Sequence, residues 1–79
     1  MAVDAARHLA ANVAGLRRVK RLTQRQLAEL ADIPRSTVTN IESGGGNPSL
    51  ANLCRLSGAL GVGVDELLAA PRTDCVLIP

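Results

Sequence analysis

The apolar positions of this chain fall into short helical stripes separated by turn chemistry. Between residues 4 and 21, Ala6, Leu9, Ala10, Val13 and Leu16 recur at the i, i+3, i+4, i+7 spacing that turns one stripe of a helix toward a core. Asp4 stands at its start, as a cap or in the first turn, and Arg17, Arg18, Lys20 and Arg21 stand at its end. Each sign is where the helix dipole favours it. Gly15 inside this helix costs about 1 kcal/mol relative to alanine, which predicts close packing there. Thr23 with Gln26 three residues on forms a capping-box pattern, each side chain satisfying a free amide of the other. Leu27, Ala28, Leu30 and Ala31 then give a second helix its apolar face.

Pro34 stops that run, because the residue before a proline is pushed out of helical angles, and it is itself tolerated at the start of the next helix. The third helix buries Val38 and Ile41 and ends near Gly44, a residue that takes a left-handed cap at no steric cost. A fourth covers residues 49–60, with Leu50, Leu53, Cys54, Leu56 and Leu60 as its inward or interface face. Cys54 is expected there as a small buried hydrophobe. Gly61 breaks it, and Val64 to Leu68 make a short fifth helix with Leu67 and Leu68 turned inward. The pattern predicts an all-α, five-helix bundle over residues 1–70, followed by an extended tail over 71–79.

Polarity singles out the third helix. Arg35, Ser36, Thr39 and Asn40 are reach-capable side chains on neighbouring turns of its outer face. A short exposed helix with its polar N-terminal half free is what reads base edges in the major groove of DNA. A solvated helix face is the plainer explanation of the basic residues clustered beside it, Arg17, Arg18, Lys20, Arg21, Arg25 and Arg35.

The register of the whole stretch narrows that choice. Leu22-Thr23-Gln24, Leu27-Ala28, Ile33, Ser36-Thr37-Val38, Ile41-Glu42 and Gly44 resemble the helix-turn-helix of the phage-repressor/Cro (Xre) family. The likeness continues through Asn47-Pro48-Ser49-Leu50, Leu60-Gly61-Val62 and Val64-Asp65-Glu66-Leu67-Leu68, so that it covers residues 9–68. The resemblance implies a lambda-repressor-like bundle that binds double-stranded DNA, acting in transcription regulation as a homodimeric repressor with its third helix in the major groove. It places base contacts at Arg35, Ser36, Thr39 and Asn40. Arg35 is suited to a bidentate pair with guanine, Asn40 to one with adenine, and the Thr39 methyl to thymine. Ser36 has a second use as a cap or backbone contact, and the role of Thr37 stays open.

The resemblance also implies an ion pair between Arg17 and Glu42 that pins the first helix to the third. Arg18, Lys20, Arg21 and Arg25 are then left for phosphates. Gln24, at a helix start where free amides favour anions, is implied as a further phosphate contact, as are Asn47 and Ser49 along the loop that enters the fourth helix. In many relatives the end of the fourth helix and the fifth build the dimer interface.

Composition changes this picture little. There is no Phe, Tyr or Trp in 79 residues of which 47% are hydrophobic, so the core is aliphatic and no stacking platform for single strands exists. A domain of this size rests on only ~3–5 kcal/mol of net core stability. The net charge is +2, but six of the nine basic residues lie between 17 and 35, against Glu29 and Asp32 alone. That clusters positive potential beside the third helix, as a phosphate-contacting surface needs. Gly44-Gly45-Gly46-Asn47 lacks the Gly-Lys-Ser/Thr and the preceding strand of a phosphate-binding loop. The only histidine, His8, has no acid–base partner nearby and is expected on the surface, so no enzyme, metal or cofactor is implied. Cys54 and Cys75 are widely separated, and no signal peptide or membrane span is evident, which makes a cytoplasmic protein with reduced thiols the expectation.

The run Cys75-Val76-Leu77-Ile78 lies outside the resemblance. Strand exchange with a second copy, the lead into a C-terminal effector domain, and plain disorder all fit it. A rival class is an antitoxin-like interaction module that holds a protein partner through this tail, and a redox-sensing regulator using the two cysteines is a third.

Overall fold

A computed structural model describes residues 4–45 and 48–69. Every regular element among the described residues is a helix: α1 (Asp4–Val19), α2 (Gln24–Ala31), α3 (Arg35–Glu42), α4 (Leu50–Leu60) and α5 (Val64–Leu68). The tail over 71–79, Cys75 included, lies outside them, as do Gly46 and Asn47.

The chain turns four times by the same device. A helix ends, one residue adopts the left-handed conformation, and the next amide reaches back into the last turn. The left-handed residues are Arg21, Asp32, Gly44 and Gly61, with φ of 58°, 58°, 84° and 75°. The amides that follow bond backwards: Leu22 to the Arg17 carbonyl at 3.0 Å, Ile33 to Ala28 at 3.0 Å, Gly45 to Asn40 at 3.3 Å and Val62 to Ser57 at 3.1 Å. These bonds satisfy carbonyls that a helix end otherwise orphans. The first of them shortens α1 relative to expectation. The helix stops at Val19 instead of residue 21, because Arg21 must be left-handed for Leu22 to swing back onto the core.

Side-chain caps set the starts of α2 and α4. Thr23 Oγ1 accepts from the Gln26 amide at 3.0 Å and Gln26 Oε1 accepts from the Thr23 amide at 2.8 Å, so the capping box forms. Ser49 Oγ accepts from the Asn52 amide at 3.2 Å and starts α4. Pro34 serves as the N-cap residue of α3, with Arg35 the first helical residue.

One core joins all five helices. Leu9 and Val13 come from α1, Leu27, Ala28 and Ala31 from α2, Ile33 from the turn, Val38 and Ile41 from α3, Leu56 and Leu60 from α4, and Leu67 from α5. α2 packs on α3 and α4, and α1 on α3 and α5. Each fully buried leucine contributes roughly 1.5–3 kcal/mol relative to exposure.

Several side chains expected inside are not there. Leu30 is 61% exposed, because Leu27, Ala31 and Ala28 fill one narrow arc and Leu30 falls about 60° outside it at 100° per residue. Leu50 is 70% exposed and Cys54 is exposed, since the buried arc of α4 is centred on Leu56 and Leu60 and Cys54 lies about 160° from Leu56. Leu68 is 37% exposed, its neighbour Leu67 having taken the buried place. His8 is half-buried, not fully on the surface. A Cβ on Gly15 would meet nothing within 4 Å outside its own helix, so the close packing expected there is absent.

Candidate nucleic-acid interface

α3 divides cleanly into two faces. Val38 and Ile41 anchor one in the core. Arg35, Ser36, Thr39 and Asn40 are all exposed on the other and line a single open concavity. Thr37 lies between, half-buried. No side chain caps the start of α3, so its first amides, at the positive end of its dipole, are left without a side-chain acceptor.

A hydrogen-bonded network fixes this helix to α1 and α2. Arg17 Nε donates to Glu42 Oε2 at 2.6 Å and Arg17 Nη2 to Glu42 Oε1 at 3.0 Å, a bidentate pair that ties α1 to the last residue of α3. Arg17 Nη1 also donates to the Leu22 carbonyl at 2.8 Å. Gln24 Nε2 donates to Glu42 Oε1 at 3.1 Å, and the Thr39 hydroxyl donates to Gln24 Oε1 at 3.0 Å. The two charged side chains are only 15% and 8% exposed. The hydrogen bond to Glu42 raises the Arg17 pKa. Burial pushes the Glu42 carboxyl up, but hydrogen bonds from Arg17 and Gln24 and the charges of Arg17 and Arg18 outweigh it, leaving it below the ordinary carboxylate value. Arg17 is thereby occupied within the fold, and so is the Gln24 amide save one N–H.

The remaining cations lie in different settings. Arg18, Arg21 and Arg25 are exposed. Arg25 sits 3.6 Å from Glu29 one turn on, a surface pair worth little. Lys20 leans over Gly61, its ammonium 3.9 Å from where a Cβ there would be, beside the C-terminal end of α4. Ser49 uses its hydroxyl as the cap of α4. Asn47 is outside the described residues.

Two polar side chains matter here that the apolar pattern did not single out. Asn12 Nδ2 donates to the carbonyls of Glu66, Leu67 and Ala69 at 3.2, 2.9 and 2.7 Å, closing the end of α5 against α1. Arg55 Nη1 donates to the Asp32 carbonyl at 3.2 Å, tying α4 to the turn before α3. The signal for Asn12 was its place beside Leu9, Val13 and Leu16 on a buried stripe, where a poor helix former needs a reason.

Among the described residues no helix is long and apolar enough to cross a membrane, and no three potential ligands gather to hold a metal ion. A helix-turn-helix family model matches residues 16–67. An immunity repressor protein of Bacillus phage phi105 is 41% identical over 56 residues, 71% of this chain but 39% of the repressor's length. Among solved structures, the hypothetical transcription factor NHTF from Neisseria superposes with a TM-score of 0.85 at 31% identity, over 95% of this chain and 86% of that one. The restriction-modification controller protein C.AhdI from Aeromonas hydrophila follows with a TM-score of 0.72 at 37% identity, over 76% and 91%.

Proposed function

The chain belongs to the helix-turn-helix family, and from that premise we propose that it is a sequence-specific, double-stranded DNA-binding regulator of transcription that acts as a homodimeric repressor. The observation that carries this reading is the division of α3, whose inner face is locked while Arg35, Ser36, Thr39 and Asn40 share one open outer face. Those four read base edges in the major groove. Arg35 addresses guanine, Asn40 adenine, and Thr39 a methyl or amino group.

Phosphates on either side are held by Arg18, Arg21 and Arg25, with the free N–H of Gln24 and the uncapped amides of α3 adding donors. Asn47 and Ser49 complete the set from the loop before α4. Lys20 is its weakest member, because its ammonium already complements the end of α4. Two copies place their third helices about 34 Å apart on one face of the duplex.

Selection from a random duplex pool at two salt concentrations tests this. A two-fold symmetric site with half-sites one helical turn apart is the expected result, with affinity falling steeply as salt rises. Binding without enrichment reduces the protein to a basic surface, and no binding at either salt removes the proposal. Arg35→Ala should relax the preference at one base pair, whereas Arg25→Ala should weaken all sequences alike and flatten the salt dependence.

A further inference from the structure

We infer that Gln24 is a positioning residue that decides what Thr39 can read. It holds the Thr39 hydroxyl as a donor toward α2 and leaves that side chain facing DNA only as an acceptor and a methyl group. This rests on the DNA-reading role proposed above for α3 and concerns how one of its side chains is set.

The direction of the network carries the argument. Glu42 is ionised at neutral pH and accepts from Arg17 twice and from Gln24 once. A carboxylate accepts only, so the amide of Gln24 must turn its amino end to Glu42 and its carbonyl end away. The carbonyl oxygen of Gln24 is also an acceptor only, and it lies 3.0 Å from Thr39 Oγ1. The Thr39 proton therefore points at Gln24, and the hydroxyl keeps just its lone pairs for any other partner.

The consequence for base reading is specific. Guanine N7 and O6, adenine N7 and thymine O4 need a donor, which Thr39 no longer offers. The amino groups of adenine and cytosine can donate to it, and the thymine methyl can pack on its own methyl. Thr39 lies exposed among Arg35, Ser36 and Asn40, so the restriction falls within the reading face itself. The charge buried behind α3 is thus relayed, through one amide, into the chemistry of its front.

Duplex selection with the full chain, three single variants and one double variant tests it. Thr39→Ala locates the base pair that Thr39 reads. Gln24→Met keeps the length of the side chain and removes both hydrogen bonds. It should admit guanine at that pair, cutting discrimination about 2- to 10-fold, the worth of one ordinary hydrogen bond, with preferences elsewhere intact. Combined with Thr39→Ala it should change nothing further at that pair. Thr39→Val is an exposed isostere that tests the same point, losing only the bond to Gln24 Oε1 and leaving the Arg17–Glu42–Gln24 bonds in place. It should not cost the protein any preference for guanine, since the hydroxyl never donated.

A uniform loss of affinity in Gln24→Met, with the wild-type preference kept, overturns the inference and makes Gln24 a plain phosphate or packing residue. Loss of a guanine preference in Thr39→Val overturns it as well. A wild-type chain that enriches no site removes the DNA-reading proposal itself, an outcome distinct from either.

Discussion

The α2–α3 pair and the α4–α5 pair are both short helices joined by a tight turn, yet they are fixed by different kinds of contact. α2 and α3 share apolar residues with the core and are also tied through Arg17, Glu42, Gln24 and Thr39, whose partners have direction and charge. α4 and α5 hang on Leu56, Leu60 and Leu67, on carbonyls gripped by Asn12, and on one exposed bond from Arg55 to the Asp32 carbonyl, with no buried ion pair among these contacts. Apolar packing sets a distance but tolerates small rotations. A bidentate ion pair sets an angle. The pair proposed to present side chains to DNA is the one whose orientation is fixed both ways.

The largest test of this contrast is Arg17→Ala. Removing one partner of a largely buried ion pair costs about 3–5 kcal/mol, comparable to all the net stability a domain this small commands. The loss should depend on pH with a definite sign. The folded-state pKa of Glu42 is depressed, so its contribution is present above the unfolded carboxylate value and disappears as pH falls through the folded one. The gap between wild type and Arg17→Ala in urea unfolding should therefore close in acid. A gap of constant size down the acid range would mean that Arg17 acts through its packing and its bond to the Leu22 carbonyl, not through Glu42.

Leu56→Ala supplies the opposite case. Truncating this fully buried leucine should cost about 2–5 kcal/mol, with no such closure at low pH, because no titrating group is involved. Its urea midpoint should track the wild type's in parallel across the acid range. Convergence of the two curves would show that α4 is coupled to the Glu42 network, and the contrast between the pairs would fail.

Asn12→Ala is smaller and local. It deletes the donor shared by two α5 carbonyls and that of its cap residue Ala69, at a cost of about 0.5–1.5 kcal/mol per net hydrogen bond. Amide exchange should rise in α5 while α2 and α3 keep their protection. Equal deprotection of all helices would show that α5 does not open separately.

How far the sequence could be read follows the same division. In the second and third helices, capping chemistry, Pro34 and the polar face of α3 all carry direction, and Leu27, Ala28, Ala31, Val38 and Ile41 are buried as their spacing requires. Leu30 misled, because a two-turn helix buries too narrow an arc for four apolar residues. α4 is apolar or small on nearly every side, so the spacing of Leu50 and Cys54 said nothing about which side faces in. Leu67 and Leu68 are adjacent, and only packing chose between them. The Arg17–Glu42 pair was legible through family resemblance, since 25 residues separate its partners. Nothing in one dimension shows the further link through Gln24 to Thr39. The left-handed Arg21 was invisible too, for arginine is no signal of that conformation.

That last residue offers the smallest effect and the sharpest separation of stability from function. Arg21 and Asp32 both occupy left-handed positions at helix ends where glycine is the unstrained residue. Glycine there relieves steric strain but adds freedom to the unfolded chain, so the net gain is only ~0.5–1 kcal/mol. Asp tolerates the conformation better than Arg, its short side chain bonding locally, so Arg21→Gly should raise the thermal midpoint more than Asp32→Gly. In DNA binding the order should invert. Arg21→Gly removes a cation placed here on the phosphates and should weaken every duplex by a similar factor, with a shallower salt dependence. Asp32→Gly deletes a negative charge beside the turn into α3 and should not weaken binding. A stabilised Arg21→Gly chain with undiminished affinity would strike Arg21 from the phosphate contacts and leave its strain without a function. Stability gained together with affinity lost would mean that the first turn of the fold is held in a strained conformation for the sake of the charge it carries.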